Sequence, residues 1–299
     1  MQTMITVPVK YPDQFSFDEC LVFLGRSDRE CLHFVKDGSL QRMIIQDGAP
    51  LLLKVREAAS KKALEVDVTN TWGITVNEQA IQHFLTHWLH LDADLQPFYK
   101  FAAQDDVLAP LVKRYNGLRL IGIPDLFESI TWTITGQQIS LPFAYTLRRR
   151  LIERFGYHEV INGADQYLYP HPAVIAGLQL EDLTSMQFSR SKAQYIIRIA
   201  AAMADGRLSD AHLQEMEYEA ARQYLLQWKG IGNWSANYVL MKYRRFPEAL
   251  PLEDAGLHNA LRKQLQLSAK PSLADVKTYT AHWKQHAAYA TFYLWRSLS

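Results

Sequence analysis

Glu253 and Asp254 stand side by side in Pro251-Leu252-Glu253-Asp254-Ala255-Gly256-Leu257, and acids at this kind of position can do chemistry. A carboxylate at the start of a helix stays ionised and points out of the helix, because the first-turn N–H groups present positive potential. Beside a sugar, such an anion can stabilise the oxocarbenium-like transition state of N-glycosidic cleavage while it orients an attacking water. Asp254 also reads as the N-cap of a helix carrying Leu257, Ala260 and Leu261, and the two roles are compatible. Glu253 is the competing carboxylate, and chemistry alone does not choose between them.

Upstream lies Lys229-Gly230-Ile231-Gly232, between one amphipathic helical pattern and the next. Glycines permit a tight reversal and let backbone N–H groups approach a phosphate oxygen closely. The following helix turns its positive end toward the same anion, a contact that fixes register on DNA without reading sequence. Trp234 and Tyr238 then share a helical face at i, i+4, and Phe292 and Trp295 share another. Electron-rich rings stack well on an electron-poor, positively charged base. Phe292 reads as core, whereas Trp234, Tyr238 and Trp295 are the pocket candidates. Gln137-Gln138, in Gly136-Gln137-Gln138-Ile139-Ser140, sits on a turn between helices, where a side chain could fill the gap left by an extruded base.

These residues need elements to hold them. Cys31–Val35, Met43–Ile45, Leu51–Val55 and Leu64–Val68 are short β-rich runs, and Asp37-Gly38 and Asp47-Gly48 suit tight hairpins. Asn77 caps a helix whose stripe is Ile81, Phe84, Leu85 and Trp88. The rest is helical: Phe127, Ile130, Thr131 and Ile134 line one face of a helix stopped by Gly136, and Ser140 caps a helix running to Gly156. Further helices are expected over 192–203, 218–228, 234–241, 256–265 and from Leu273 to the C-terminus, with 157–180 a loop holding at most one short helix. The fold class is therefore α+β. Residues 1–95 form an antiparallel α+β domain, 125–246 a helical domain with the hairpin, and 96–124 with 247–299 a second helical subdomain that carries Asp254.

The chain has 299 residues, 48% of them apolar, and a net charge of +1. That composition excludes a disordered tail protein and argues against a non-specific coat for nucleic acid. Residues 1–100 hold 10 Lys/Arg against 13 Asp/Glu, so the remainder carries +4. Lys113-Arg114, Arg148-Arg149-Arg150 and Lys242/Arg244/Arg245 read singly as solvated helix faces and together permit a basic face. Cys20 and Cys31 are too few for a disulfide framework or an iron–sulfur cluster. No apolar run reaches membrane-spanning length, so a soluble, cytoplasmic protein, nucleoid-associated when on DNA, is expected.

Taken in order, four motifs resemble those of the DNA-3-methyladenine glycosylase II family within the helix-hairpin-helix glycosylases. They are Gly136–Ser140, Lys229–Tyr238, Pro251-x-x-Asp254-x-Gly256-Leu257 and Tyr293-Leu294-Trp295-Arg296. Gly117-Leu118-Arg119 with Asp125–Glu128 resembles the family's entry to its helical domain, and the N-terminal sheet its bacterial extra domain. The resemblance implies a monofunctional glycosylase that flips alkylated bases of the 3-methyladenine and 7-methylguanine type from duplex DNA, hydrolyses the glycosidic bond and leaves an abasic site in base excision repair; a monomer is the default for a base-flipping enzyme of this size. It assigns catalysis to Asp254, the base pocket to Trp234, Tyr238 and Trp295, and DNA contact to Gln137, Gln138, Lys229, Gly230, Ile231 and Gly232, with Gln138 as the wedge. It further implies no required cofactor, only a structural Na+ or K+ on the backbone carbonyls of Leu226, Trp228 and Ile231. Where the family has Pro and Arg before the final helix, this chain has Trp283-Lys284-Gln285-His286, leaving Lys284 and His286 as basic substitutes. Two alternatives stay open: a non-catalytic damage binder, and an oxidised-base glycosylase. The latter would carry a lysine nucleophile at the position of Trp234.

Overall fold

The computed structural model describes residues 2–298. Five antiparallel strands, β1 (Gln2–Pro8), β2 (His33–Lys36), β3 (Ser39–Gln46), β4 (Ala49–Glu57) and β5 (Ala63–Thr69), form a sheet of order β1-β5-β4-β3-β2. Both Asp-Gly pairs turn as expected, with Asp37, Gly38, Asp47 and Gly48 all at positive φ. The chain also pairs its first strand with its fifth, an element the sequence reading lacked, although Ile5, Val7 and Val9 alternate inward. Helix α1 (Phe17–Leu24), also additional, precedes β2, and α2 (Glu78–Leu89) follows β5. Asn77 caps α2 through its side chain, which accepts from Ala80 N at 3.1 Å.

The helical part begins with α3 (Gln96–Ala102) and α4 (Ala109–Arg114), then α5 (Leu126–Gly136) and α6 (Leu141–Phe155). Ser140 caps α6 as expected. Every residue from Leu126 to Thr135 is buried, so α5 is a central helix and not one with a single apolar face. The segment 157–180 differs from the expected loop: it folds as a hairpin of β6 (His158–Ile161) and β7 (Ala164–Tyr167), turned by Asn162-Gly163, followed by α7 (Pro172–Ala176).

Next come α8 (Leu180–Thr184), α9 (Arg190–Ala204), α10 (Asp210–Gln214), α11 (Tyr218–Leu226), α12 (Asn233–Lys242) and α13 (Ala255–Gln264). The expected single C-terminal helix is two, α14 (Leu273–Thr280) and α15 (Ala287–Arg296), parted by a 3-10 turn at Lys284–His286. The cause is tertiary: Asp105 Oδ2 accepts from Trp283 Nε1 at 3.2 Å and lies 2.7 Å from His282 Nε2, fixing both rings in the break. One contiguous hydrophobic core runs from Ile5 in the sheet through Phe127 on α5 to Leu294 on α15. The sheet and the helices therefore share their packing.

Candidate active site

Asp254 is the N-cap of α13, with its Oδ1 accepting from Leu257 N at 2.7 Å. The same oxygen accepts from Trp295 Nε1 at 2.8 Å, and Oδ2 accepts from Trp234 Nε1 at 3.0 Å. Three donors thus fix the orientation of the carboxylate. It remains partly exposed, while the neighbouring Glu253 is exposed. Gly256 is needed for this geometry, because a Cβ there would lie 2.9 Å from Asp254 Oδ1 and 3.2 Å from the Trp295 indole.

The three pocket aromatics converge on this acid. Tyr238 lies 5.7 Å from both the Trp234 and the Trp295 ring, centroid to centroid. Phe292 is fully buried against Phe23 at 4.5 Å and belongs to the core. Sequence reasoning missed two further rings. Trp132 on α5 donates from Nε1 to the Tyr238 hydroxyl at 3.0 Å, and Tyr145 on α6 packs on Trp132 at 5.0 Å. Trp132 falls between the residues of the expected α5 stripe, so periodicity gave it no weight. Behind Tyr238 these rings line one side of a small, partly open cavity of about 40 Å³, with Ile123, Lys242 and the charged side chains of Glu30, Arg42, Glu128 and Arg148 on the others.

Gly230 in the hairpin has φ +102°, and a Cβ there would meet the Tyr195 ring at 2.6 Å. Both conformation and space demand glycine. Gly232 is the N-cap of α12 and supplies no side chain, so the first-turn N–H groups stay available to an anion. Ile231 is buried and Lys229 exposed, which leaves Lys229 the charged group at the turn. The Gln137–Gln138 turn is tied to this hairpin. Gln137 Nε2 donates to Gly230 O at 2.9 Å and Ser235 Oγ at 3.2 Å, so its amide is spent inside the protein. Gln138 is exposed at φ +57°.

Two of the three basic clusters are largely spent inside the protein, while Lys113 and Arg114 stay exposed. Arg148 is buried and donates to Glu30 Oε2 at 2.5 Å and Glu128 Oε1 at 2.6 Å, and Lys242 is 2% exposed. Arg149 pairs with Glu153 and Arg245 with Asp92. Of the two basic substitutes before α15, His286 stacks on Phe101 at 4.5 Å, where burial lowers its pKa, while Lys284 is exposed. At the implied cation site, the Trp228 carbonyl already accepts from Ile231 N at 3.0 Å and keeps a second lone pair. Neutral carbonyl oxygens of this kind suit a weakly held monovalent ion. Both cysteines are buried free thiols, pushed up to about 12 by burial above all. Among the described residues no helix is long and apolar enough to cross a membrane.

Comparison with known proteins converges on one family. The HhH-GPD superfamily of base excision DNA repair proteins matches residues 131–285, and the 8-oxoguanine DNA glycosylase N-terminal domain matches 13–130. A Bacillus subtilis DNA-3-methyladenine glycosylase is 34% identical over 293 residues, covering 98% of this chain and 97% of that protein. The solved 3-methyladenine DNA-glycosylase from Archaeoglobus fulgidus superposes with a TM-score of 0.82 at 25% identity, covering 97% and 96% of the two chains. An 8-oxoguanine glycosylase/lyase from Clostridium acetobutylicum, solved with double-stranded DNA, shares the fold at a TM-score of 0.74, with 16% identity over 95% of this chain and 92% of that one. Motifs, fold and relatives agree: the chain belongs to the DNA-3-methyladenine glycosylase II family of the HhH-GPD superfamily and is a base excision repair DNA glycosylase.

Proposed function

We propose that this glycosylase flips alkylated purines of the 3-methyladenine and 7-methylguanine type out of duplex DNA and hydrolyses their glycosidic bonds with water. The observation that carries the reading is the Asp254 carboxylate, bracketed by the Trp234 and Trp295 N–H groups beside Tyr238. Alkylation at N3 or N7 leaves the purine cationic and a ready leaving group. As the C1′–N bond breaks, its electron pair goes to the base and the sugar becomes cationic. Asp254 stabilises that cation and orients the water whose oxygen bonds to C1′, and the proton that water sheds passes to the carboxylate and on to solvent. The aromatic wall suits a cationic ring and selects little else. The hairpin anchors a phosphate, Gln138 enters the vacated stack, and a monomer suffices. The hairpin carbonyls of Leu226, Trp228 and Ile231 would hold a monovalent cation that stiffens the turn.

The oxidised-base reading gains support from the N-terminal domain match but not from the site. Its lysine position holds Trp234, and an indole is no amine nucleophile. On α12 the lysine is Lys242, buried and about 12 Å further along the helix. Release of free base from methylated duplex DNA, resolved by mass, tests the proposal. The wild-type protein should release methylated purine and leave an intact strand with an abasic site, and Asp254→Asn should release none while binding the duplex as well as before. Turnover by that variant would move catalysis to Glu253. Borohydride should trap no protein–DNA adduct, and a trapped adduct would overturn the water mechanism.

A further inference from the structure

We propose that the Lys242 amine is the hydrogen-bonding end of the base cavity and determines which neutral bases the enzyme accepts. The inference rests on the glycosylase reading above and adds a specificity residue to it. Trp234, Tyr238 and Lys242 follow at i, i+4 and i+8 on α12, so one helix face runs from the catalytic acid to the back of the cavity. Lys242 lines that cavity together with Ile123, Trp132, Tyr145 and Tyr238.

Its surroundings are unusual for a lysine. The amine donates to the Ile121 carbonyl and lies over the faces of Phe23, at 4.8 Å, and Phe292, at 4.5 Å. No ion pair with a carboxylate reaches it among the described residues. Burial, and after it the Arg26 guanidinium, hold its pKa well below the usual lysine range. An amine carries two N–H donors and an ammonium three, so after Ile121 at least one donor remains to face the cavity.

Most of the other polar groups at this depth are occupied, the exceptions being His33 Nδ1, the Tyr238 O–H and the exposed Arg26 at the cavity's rim. Arg42, Glu128, Arg148 and Glu30 bond one another, and the Trp132 N–H is taken by Tyr238. A cavity of about 40 Å³ admits a polar substituent or a water or two, not a whole purine. It therefore receives the edge of a base whose face lies on the aromatic wall. A cationic base leaves readily with few contacts, whereas a neutral base such as hypoxanthine depends on hydrogen bonds to its edge.

The test is Lys242→Met, which keeps length and removes the amine, assayed in single turnover on duplexes containing hypoxanthine or 7-methylguanine. Hypoxanthine release should fall about 30-fold while 7-methylguanine release changes less than about 3-fold, the separation expected for one lost buried hydrogen bond. A purely structural lysine would move both rates by one factor, and that outcome, or no change in either, overturns the proposal. Wild-type release of 7-methylguanine without hypoxanthine also overturns it, because the amine would then select nothing. Wild-type release of neither base would instead sink the glycosylase reading itself. Should Lys242→Met fail to fold, the wild-type protein decides through free-base inhibition. Hypoxanthine should inhibit at least about 10-fold more strongly than purine, which lacks the 6-oxygen and the N1 proton, and equal inhibition overturns the proposal.

Discussion

Asp254 carries two jobs that one geometry satisfies. As an N-cap it must stand outside α13 with an oxygen on Leu257 N, and that stance exposes its other lone pairs to Trp234 and Trp295. The capping role was legible from Pro251–Leu257 alone, since it depends on neighbours three residues away. The indole donors were legible as rings near the acid but not as its hydrogen-bond partners, because they come from 20 and 41 positions off and only the packing of α12 and α15 on α13 joins them. Each N–H to an ionised carboxylate is worth about 1.5–3 kcal/mol, and its loss frees the acid to rotate away from the sugar. Trp295→Phe, which keeps an aromatic face and deletes the donor, should lower kcat about 10-fold or more and leave the Kd for undamaged duplex unchanged. Rate and affinity measured together check this, and equal losses in both would make Trp295 a binding surface alone.

Elements place these side chains, and the hairpin between α11 and α12 is the one whose details matter most. Its turn bonds the Gln137 amide through Gly230 O, so the loop that presents Gln138 and the turn that meets the phosphate move as one body. Gly230→Ala would put a methyl group into Tyr195 at a backbone angle costing about 1–3 kcal/mol. That variant should bind damaged and undamaged duplex equally weakly, at least about 10-fold below wild type, with the rate of bound-base release nearly kept. A filter-binding series across sequences reads the outcome. The hairpin was readable because glycines and flanking helical stripes are local signals. The β6–β7 hairpin was not, although Asn162-Gly163 is a strong turn pair. Its four-residue strands carry His158, Glu159, Asp165 and Gln166, which show no apolar alternation. The break between α14 and α15 has no glycine or proline to announce it. It exists because Asp105, far away in sequence, gathers His282 and Trp283.

At the scale of the whole molecule the sheet and the helices are joined by charge as well as by the continuous core. Arg42 on β3 and Arg148 on α6 both donate to Glu128 on α5, at 2.9 and 2.6 Å, and Arg148 also holds Glu30 ahead of β2. Two acids and two bases cancel, and every member is buried. Burial works against the Glu30 anion, but Arg148 and His33 hold its carboxyl well below the usual range. Its contribution is therefore lost only in strong acid. His33, at the edge of this network, behaves differently. Its Nε2 lies 3.2 Å from Leu24 O, its Nδ1 has no hydrogen-bond partner among the described residues, and burial brings its pKa down to about 4 in spite of Glu30. Burial also brings His87 down to about 4 and His90 well below its ordinary value. As pH falls from 6.5 toward 4, the unfolded chain takes up protons that these folded histidines refuse, so stability falls with pH through that window. Asp125 opposes them: burial pushes it up to about 6, so the folded state binds its proton first and gains stability as pH falls from 6 toward 3.8. Asp125 is exposed at the surface and His87 half-buried, so solvent screening discounts both against the buried His33. Urea unfolding at about pH 7 and about pH 4.5 should show a net loss of stability at the lower pH, and His33→Gln, whose amide can replace the Nε2 donor to Leu24, should reduce that loss by about 2–3 kcal/mol. An unchanged pH profile in His33→Gln would mean that the ring charges in the native state, with Glu30 as its partner.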